Sequence, residues 1–153
     1  MSTIDERLAE LGITLPTVVP PVAVYIPAVV SGSLVYTSGQ LPMVDGALPA
    51  AGKLGAEVSD EQGKALARQC ALNGLAAVAS VIGSLDRVTR IVKVVGFVAS
   101  DPSFTGQPGV INGASEVLGE IFGDAGVHAR SAVGVAVLPL NSPVEVELVV
   151  EFA

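Results

Sequence analysis

The sequence predicts an α+β domain, a sheet with two helices packed on one of its faces. Three observations predict it. Apolar periodicity switches along the chain in the order β-β-α-β-α-β-β. Thr89 to Ala99 is a nearly unbroken Val-rich run, whereas Val144 to Phe152 alternates strictly between apolar and polar residues. The length, 153 residues, suits a single domain spanning 1–153, large enough to bury about 70% of the unfolded chain's surface.

Each element has a local reason. Ile4, Leu8 and Leu11 recur at helical spacing, which predicts a short helix over 4–12. Val22 to Val30 and Leu34 to Ser38 read as strands joined by the Ser31-Gly32-Ser33 turn. Gly46 to Gly55 is a loop. Ser59 and Gln62 make a capping box, with Asp60 and Glu61 in the first turn of a long helix that Gly83 ends. The face carrying Leu66, Cys70, Asn73, Ala77 and Val81 is expected to meet the sheet. The Thr89 to Ala99 run reads as a strand covered on both faces. A second helix is expected over Gly109 to Phe122, with Pro108 in its first turn. Arg130 to Leu138 and Val144 to Phe152 are the last strands, separated by a turn from Pro139 to Pro143.

Composition excludes several functions. The net charge is −7 and aromatics are 4% with no Trp, so neither phosphate contacts nor base stacking has support, and no nucleic-acid partner is expected. One cysteine, Cys70, rules out an intrachain disulfide. With a single histidine as well, no metal site of soft ligands is expected. The Leu15 to Val30 stretch is interrupted by Pro16, Pro20, Pro21 and Pro27, too short an apolar run to cross a membrane, and the polar Met1 to Arg7 start lacks signal-peptide order. A cytoplasmic location is the expectation. Hydrophobic residues make up 50% against 15% charged, and a sheet covered on one face leaves the other bare. Both point to a homo-oligomer.

Candidate chemistry gathers near the C-terminus. Arg130 opens a strand whose face continues through the small residues Ala132, Gly134 and Ala136, leaving room for a ligand. Glu145 and Glu147 share one face of the last strand. Two readings stand. The glutamates form a solvated face and one of them pairs with Arg130; or the guanidinium grips a carboxylate ligand and a glutamate handles a proton or a water. His128 reads as a surface loop residue and Cys70 as core. No G-x-S-x-G elbow, G-x-G-x-x-G or P-loop occurs.

Three segments resemble the RidA/YjgF family of reactive-intermediate (imine) deaminases. They are Leu34-Val35-Tyr36-Thr37-Ser38-Gly39-Gln40-Leu41-Pro42; Cys70-Ala71-Leu72-Asn73-Gly74-Leu75 with Leu85-Asp86-Arg87-Val88; and Ala129-Arg130-Ser131-Ala132-Val133, followed by Leu138-Pro139 and Val144-Glu145-Val146-Glu147. Order and spacing agree over roughly residues 20–153, leaving 1–18 as an N-terminal extension. The resemblance implies a chorismate-mutase-like mixed sheet with two helices on one face, assembled as a homotrimer with sites between subunits. It implies cofactor-independent hydrolysis of small 2-imino or 2-enamino acids to a 2-keto acid and ammonia, as control of metabolite damage. By this resemblance Arg130 binds the substrate carboxylate, Glu145 positions or activates water, and Ser38, Gly39, Tyr25 and Asn112 line the pocket. Between Glu145 and Glu147 only the resemblance chooses.

The sequence departs from the family's pattern in two ways. Ala132 stands where many members carry cysteine, and the segment over 101–113 is longer. A non-catalytic trimer binding small carboxylates is the alternative reading. Endoribonuclease action, a label the family often carries, ranks below it because of the −7 charge and the lone histidine.

Overall fold

The computed structural model describes residues 3–18 and 23–153. The elements follow the expected order: α1 (Ile4–Glu10), β1 (Ala28–Ser31), β2 (Leu34–Thr37), α2 (Asp60–Ile82), β3 (Val88–Ala99), α3 (Gln107–Phe122), β4 (Ala129–Val135) and β5 (Val144–Phe152). The sheet runs β1-β2-β5-β3-β4. Its neighbours are antiparallel except β3 and β4, which are parallel and joined through α3. The fold is thus the α+β mixed sheet that the resemblance implies, with α2 and α3 on one face.

Helix ends are where local chemistry puts them. Ser59 Oγ accepts from the Gln62 amide at 3.2 Å and Gln62 Oε1 accepts from the Ser59 amide at 3.0 Å. Gly83 closes α2 with φ +89°, a conformation costly to residues with a β-carbon. Thr3 and Glu6 form a second capping box that starts α1. α1 is shorter than the expected 4–12 because Gly12, at φ +69°, turns the chain away.

Three strand expectations are corrected. β1 begins only at Ala28, because Pro27 offers no amide to a ladder; Val22 lies outside the described residues and 23–27 are not strand. β4 stops at Val135 rather than 138, because its partner strand, β3, ends at Ala99 and the last pair is Ala99 with Val135. β3 is covered on one face within the chain: Val94, Gly96 and Val98 are buried beneath the helices, while Val95 and Phe97 on the other side are half-buried. Both helices occupy the same face, and among the described residues no element covers the second.

The core lies between sheet and helices. Cys70, Leu75, Val78, Ile111, Leu118 and Leu148 are buried there. Small residues let the layers close. A β-carbon on Gly113 would strike the backbone carbonyl of Lys64, so α2 and α3 cross at van der Waals contact. One inner-face assignment fails. Val81 is exposed because the buried stripe of α2 runs through Cys70, Gly74, Val78 and Ile82, leaving 81 on the flank. By length and hydropathy α2 could cross a bilayer, yet its apolar residues are mostly buried inside the protein, as in a core helix.

Candidate active site

Strand register decides which residues can meet. Residues directly opposite in a ladder share a face. Arg130 is opposite Val94, and Ala132 is opposite Gly96. Arg130 therefore turns to the helix side. Glu145 is opposite Phe97 and Glu147 is opposite Val95, on the open side. Within one chain the arginine and both glutamates lie on opposite faces of the sheet. Of the two readings, the one in which Arg130 pairs with a glutamate of its own chain is thus overturned. Alternation alone could not show this, because it says nothing about how one strand's faces match another's.

What holds Arg130 is neutral. Its Nη1 donates to Asn112 Oδ1 at 2.8 Å and to Ser115 Oγ at 3.2 Å, both on α3. Asn112 and Ser115 are one turn apart, so their side chains share one face of the helix. Among the described residues no carboxylate pairs with Arg130. An Nη1 carries two hydrogens, and both are engaged; Nη2 and Nε have no hydrogen-bond partner among the described residues. The row of small residues beyond Arg130 is partly occupied: a β-carbon on Gly134 would lie 2.8 Å from Gln107 Nε2.

The second group of expected residues gathers at the end of β2. Ser38 donates from Oγ to the Ile26 carbonyl at 2.7 Å and from its amide to the Pro27 carbonyl at 2.7 Å, tying residues 25–27 to the strand. Tyr25, Ser38 and Gly39 line a cleft of about 690 Å³ together with Met43, Asn73 and Ala76. Asn73 shapes its wall by donating to the carbonyls of Leu41 and Met43 at 2.9 and 3.1 Å. Glu145 reaches this group from the next strand, its carboxyl lying against the backbone of Gly39. Burial, and secondarily the charge of Glu147, pushes the Glu145 carboxyl above its ordinary pKa. Thus Tyr25, Ser38 and Gly39 share one cleft, with Glu145 against the backbone of Gly39, and Arg130 with Asn112 forms a separate group.

Two further residues belong to the arginine cluster. His128 is not the bare surface residue expected: half-buried, its ring lies 2.9 Å from Ser115 Oγ and 2.6 Å from the Gly126 carbonyl. Ser115 was not anticipated, although Asn112 and Ser115 are polar positions three apart on a mostly apolar helix, a signal the sequence does carry. Cys70 is core, as expected. Burial, and to a lesser degree the Glu145 charge, holds its thiol well above the ordinary value, so it is no nucleophile.

The sequence pattern of the family described as YjgF/chorismate mutase-like, putative endoribonuclease, matches residues 5–152. The chain belongs to the YjgF family. Protein TCP17 of Trypanosoma cruzi is 46% identical over 146 residues, covering 95% of this chain and 91% of that protein. Among solved structures, Atu1372 of Agrobacterium tumefaciens, described as of unknown function, superposes with a TM-score of 0.91 at 44% identity, covering 98% of this chain and 92% of its own. TdcF of E. coli, solved with bound serine, aligns at a TM-score of 0.64 and 26% identity over 88% of this chain and 92% of that one. A YjgF-type fold therefore holds a small amino acid in at least one relative.

Proposed function

We propose that the protein hydrolyses small 2-imino or 2-enamino acids to a 2-keto acid and ammonia, at a site built by two copies of the chain within a homotrimer. The observation that carries the reading is the state of Arg130: a half-buried guanidinium held by neutral oxygens, with two nitrogens left to grip a carboxylate bidentately. The serine in TdcF carries such a carboxylate beside its amino group.

The chemistry needs few parts. A protonated imine carbon is already electrophilic, so the reading requires no metal or cofactor. Arg130 anchors the carboxylate and Asn112 holds the arginine. Glu145 takes a proton from water as the oxygen bonds to the imine carbon and gives it to the nitrogen; it then takes the remaining hydroxyl proton as the carbonyl forms and the C–N bond breaks, and passes it to the departing ammonia, which leaves as ammonium. A carboxylate whose pKa is raised is a better base at neutral pH, which suits Glu145 to this step. Ser38, Gly39 and Tyr25 wall the pocket beside it. Because Arg130 and Glu145 lie on opposite faces of their own sheet, the Glu145 of one copy serves the Arg130 of another. A cytoplasmic setting is part of this reading.

The competing reading, a trimer that binds small carboxylates without turning them over, draws on Ala132 in place of the family's frequent cysteine. Ribonuclease action, the activity in the family's description, is opposed by the net charge of −7 and the single histidine. A coupled assay separates the first two. A pyridoxal-phosphate dehydratase generates 2-aminoacrylate or its four-carbon analogue in place, and keto-acid formation is followed above the spontaneous rate. Acceleration by native protein and none by Arg130→Ala is the expected result. No acceleration, with 2-oxobutanoate still bound in calorimetry, makes the protein a binder; an active Arg130→Ala overturns the anchoring role.

A further inference from the structure

His128 is the one histidine of the chain and no step above uses it. Its hydrogen bonds have a forced direction. Nδ1 lies 2.6 Å from the Gly126 carbonyl oxygen, which can only accept, so Nδ1 carries the proton. In the neutral ring Nε2 is then an acceptor, and the Ser115 hydroxyl 2.9 Å away donates to it. With its hydrogen committed to the ring, Ser115 Oγ turns lone pairs to Arg130 Nη1 at 3.2 Å. Arginine has no acceptor, so the chain runs one way, from Arg130 to Ser115 to His128 to Gly126.

Its far end is fixed. Gly126 is buried, and a β-carbon there would strike the Leu118 carbonyl of α3, so the backbone is seated directly on the helix. Asn112 takes the other hydrogen of Nη1 at 2.8 Å. Two hydrogen bonds on one nitrogen fix the plane of a guanidinium; one alone lets it swing. Alanine at 115 would leave only one.

We infer that Ser115 and His128 are positioning residues that hold the Arg130 guanidinium in the plane that receives the substrate carboxylate. The inference rests on the reading of Arg130 as the carboxylate anchor. Neither residue touches substrate. They act through Arg130, so they govern how tightly a carboxylate is held and not the rate of its chemistry.

Two measurements test this, one of them independent of activity. Because the chain has a single histidine, 15N spectroscopy of the imidazole reports His128 without ambiguity. At mildly alkaline pH the Nδ1–H tautomer is expected in native protein, and a ring found as the Nε2–H tautomer overturns the inference. In the coupled assay, Ser115→Ala and His128→Ala are expected to raise KM about tenfold, the lower end of what one hydrogen bond from a charged group contributes, with kcat kept. Ser115→Thr, which keeps the hydroxyl, and His128→Gln, which keeps an acceptor, are expected to restore most of the affinity. If Arg130→Ala abolishes turnover and weakens 2-oxobutanoate binding while neither alanine variant raises KM, or if their loss falls on kcat, the positioning role fails and the anchor stands. If Arg130→Ala leaves turnover and 2-oxobutanoate binding untouched, the anchor reading fails, and the inference fails with it whichever tautomer is seen.

Discussion

The carboxyl group of Glu145 occupies the space where a β-carbon on Gly39 would stand. The glycine is therefore a seat for the glutamate, and not a turn residue needing unusual dihedrals, since its φ does not lie in the left-handed region. Only the far end of a flexible side chain opposes a methyl at 39. We expect Gly39→Ala to change stability by less than about 1 kcal/mol while displacing Glu145. Keto-acid release would fall toward the level of a Glu145 variant with the melting temperature nearly unchanged; full activity would show that Glu145 does not work from this seat.

Glu145→Gln separates chemistry from stability. Turnover is expected to fall by about 10²–10⁴, the usual worth of a general base, with 2-oxobutanoate binding retained. Stability is expected to move the other way. Burial raises the folded-state pKa of Glu145, so the native state holds this proton more tightly than the unfolded chain does. Its stabilising effect is complete below the unfolded value of about 4.3 and is lost as pH rises through the raised value. Glutamine carries no charge to desolvate. The variant should therefore melt above native protein at neutral pH, with the gap closing in acid; a gap independent of pH contradicts the shift.

The open face of the sheet predicts assembly. Val133 on β4 is opposite Phe97 on β3, which is opposite Glu145 on β5, and Val29 and Tyr36 continue the apolar surface on β1 and β2. Val29, Tyr36 and Val133 are exposed in the single chain. Sedimentation equilibrium is expected to give a trimer for native protein. Val133→Asp, which sets a charge in that surface, is expected to shift it toward monomer and to abolish turnover although Arg130 and Glu145 are both intact. A fully active monomer would mean that the two residues need not come from different copies.

Gly113 tests the packing beneath the arginine cluster. It is one residue from Asn112, at the crossing of α3 with α2, where a methyl meets the Lys64 backbone carbonyl rather than a mobile side chain. Gly113→Ala is expected to cost about 1–3 kcal/mol by denaturant titration. It should also raise KM, because the helix that carries Asn112 and Ser115 must shift. A stability unchanged from native would mean that the helices separate without penalty.

Much of the fold was legible before any coordinates. Capping boxes, the glycine that ends α2 and strict alternation in β5 act over a few residues, and local chemistry decides them. The misjudged strand ends share a cause. Whether residues 136–138 continue β4 depends on a partner strand that has already ended, and whether 23–27 join β1 depends on a proline at the ladder's edge. Val81 was misplaced because small residues broaden the stripe that α2 buries, and periodicity then marks its centre poorly.

The sequence by itself determined the order of elements, the exclusion of an intrachain disulfide, and the placing of Glu145 and Glu147 on one face of one strand. It also carried the motifs that mark the family. Only the tertiary structure decided that Arg130 faces α3 while Glu145 faces the open side, that Gly39 seats the glutamate, and that Asn112 and Ser115 hold the arginine with His128 behind Ser115. The physical reason is that alternation sorts residues within a strand, while the match between strands is set by register. The parallel pairing of β4 on β3 and the antiparallel pairing of β5 on β3 are contacts between segments far apart in the chain, which no local pattern encodes.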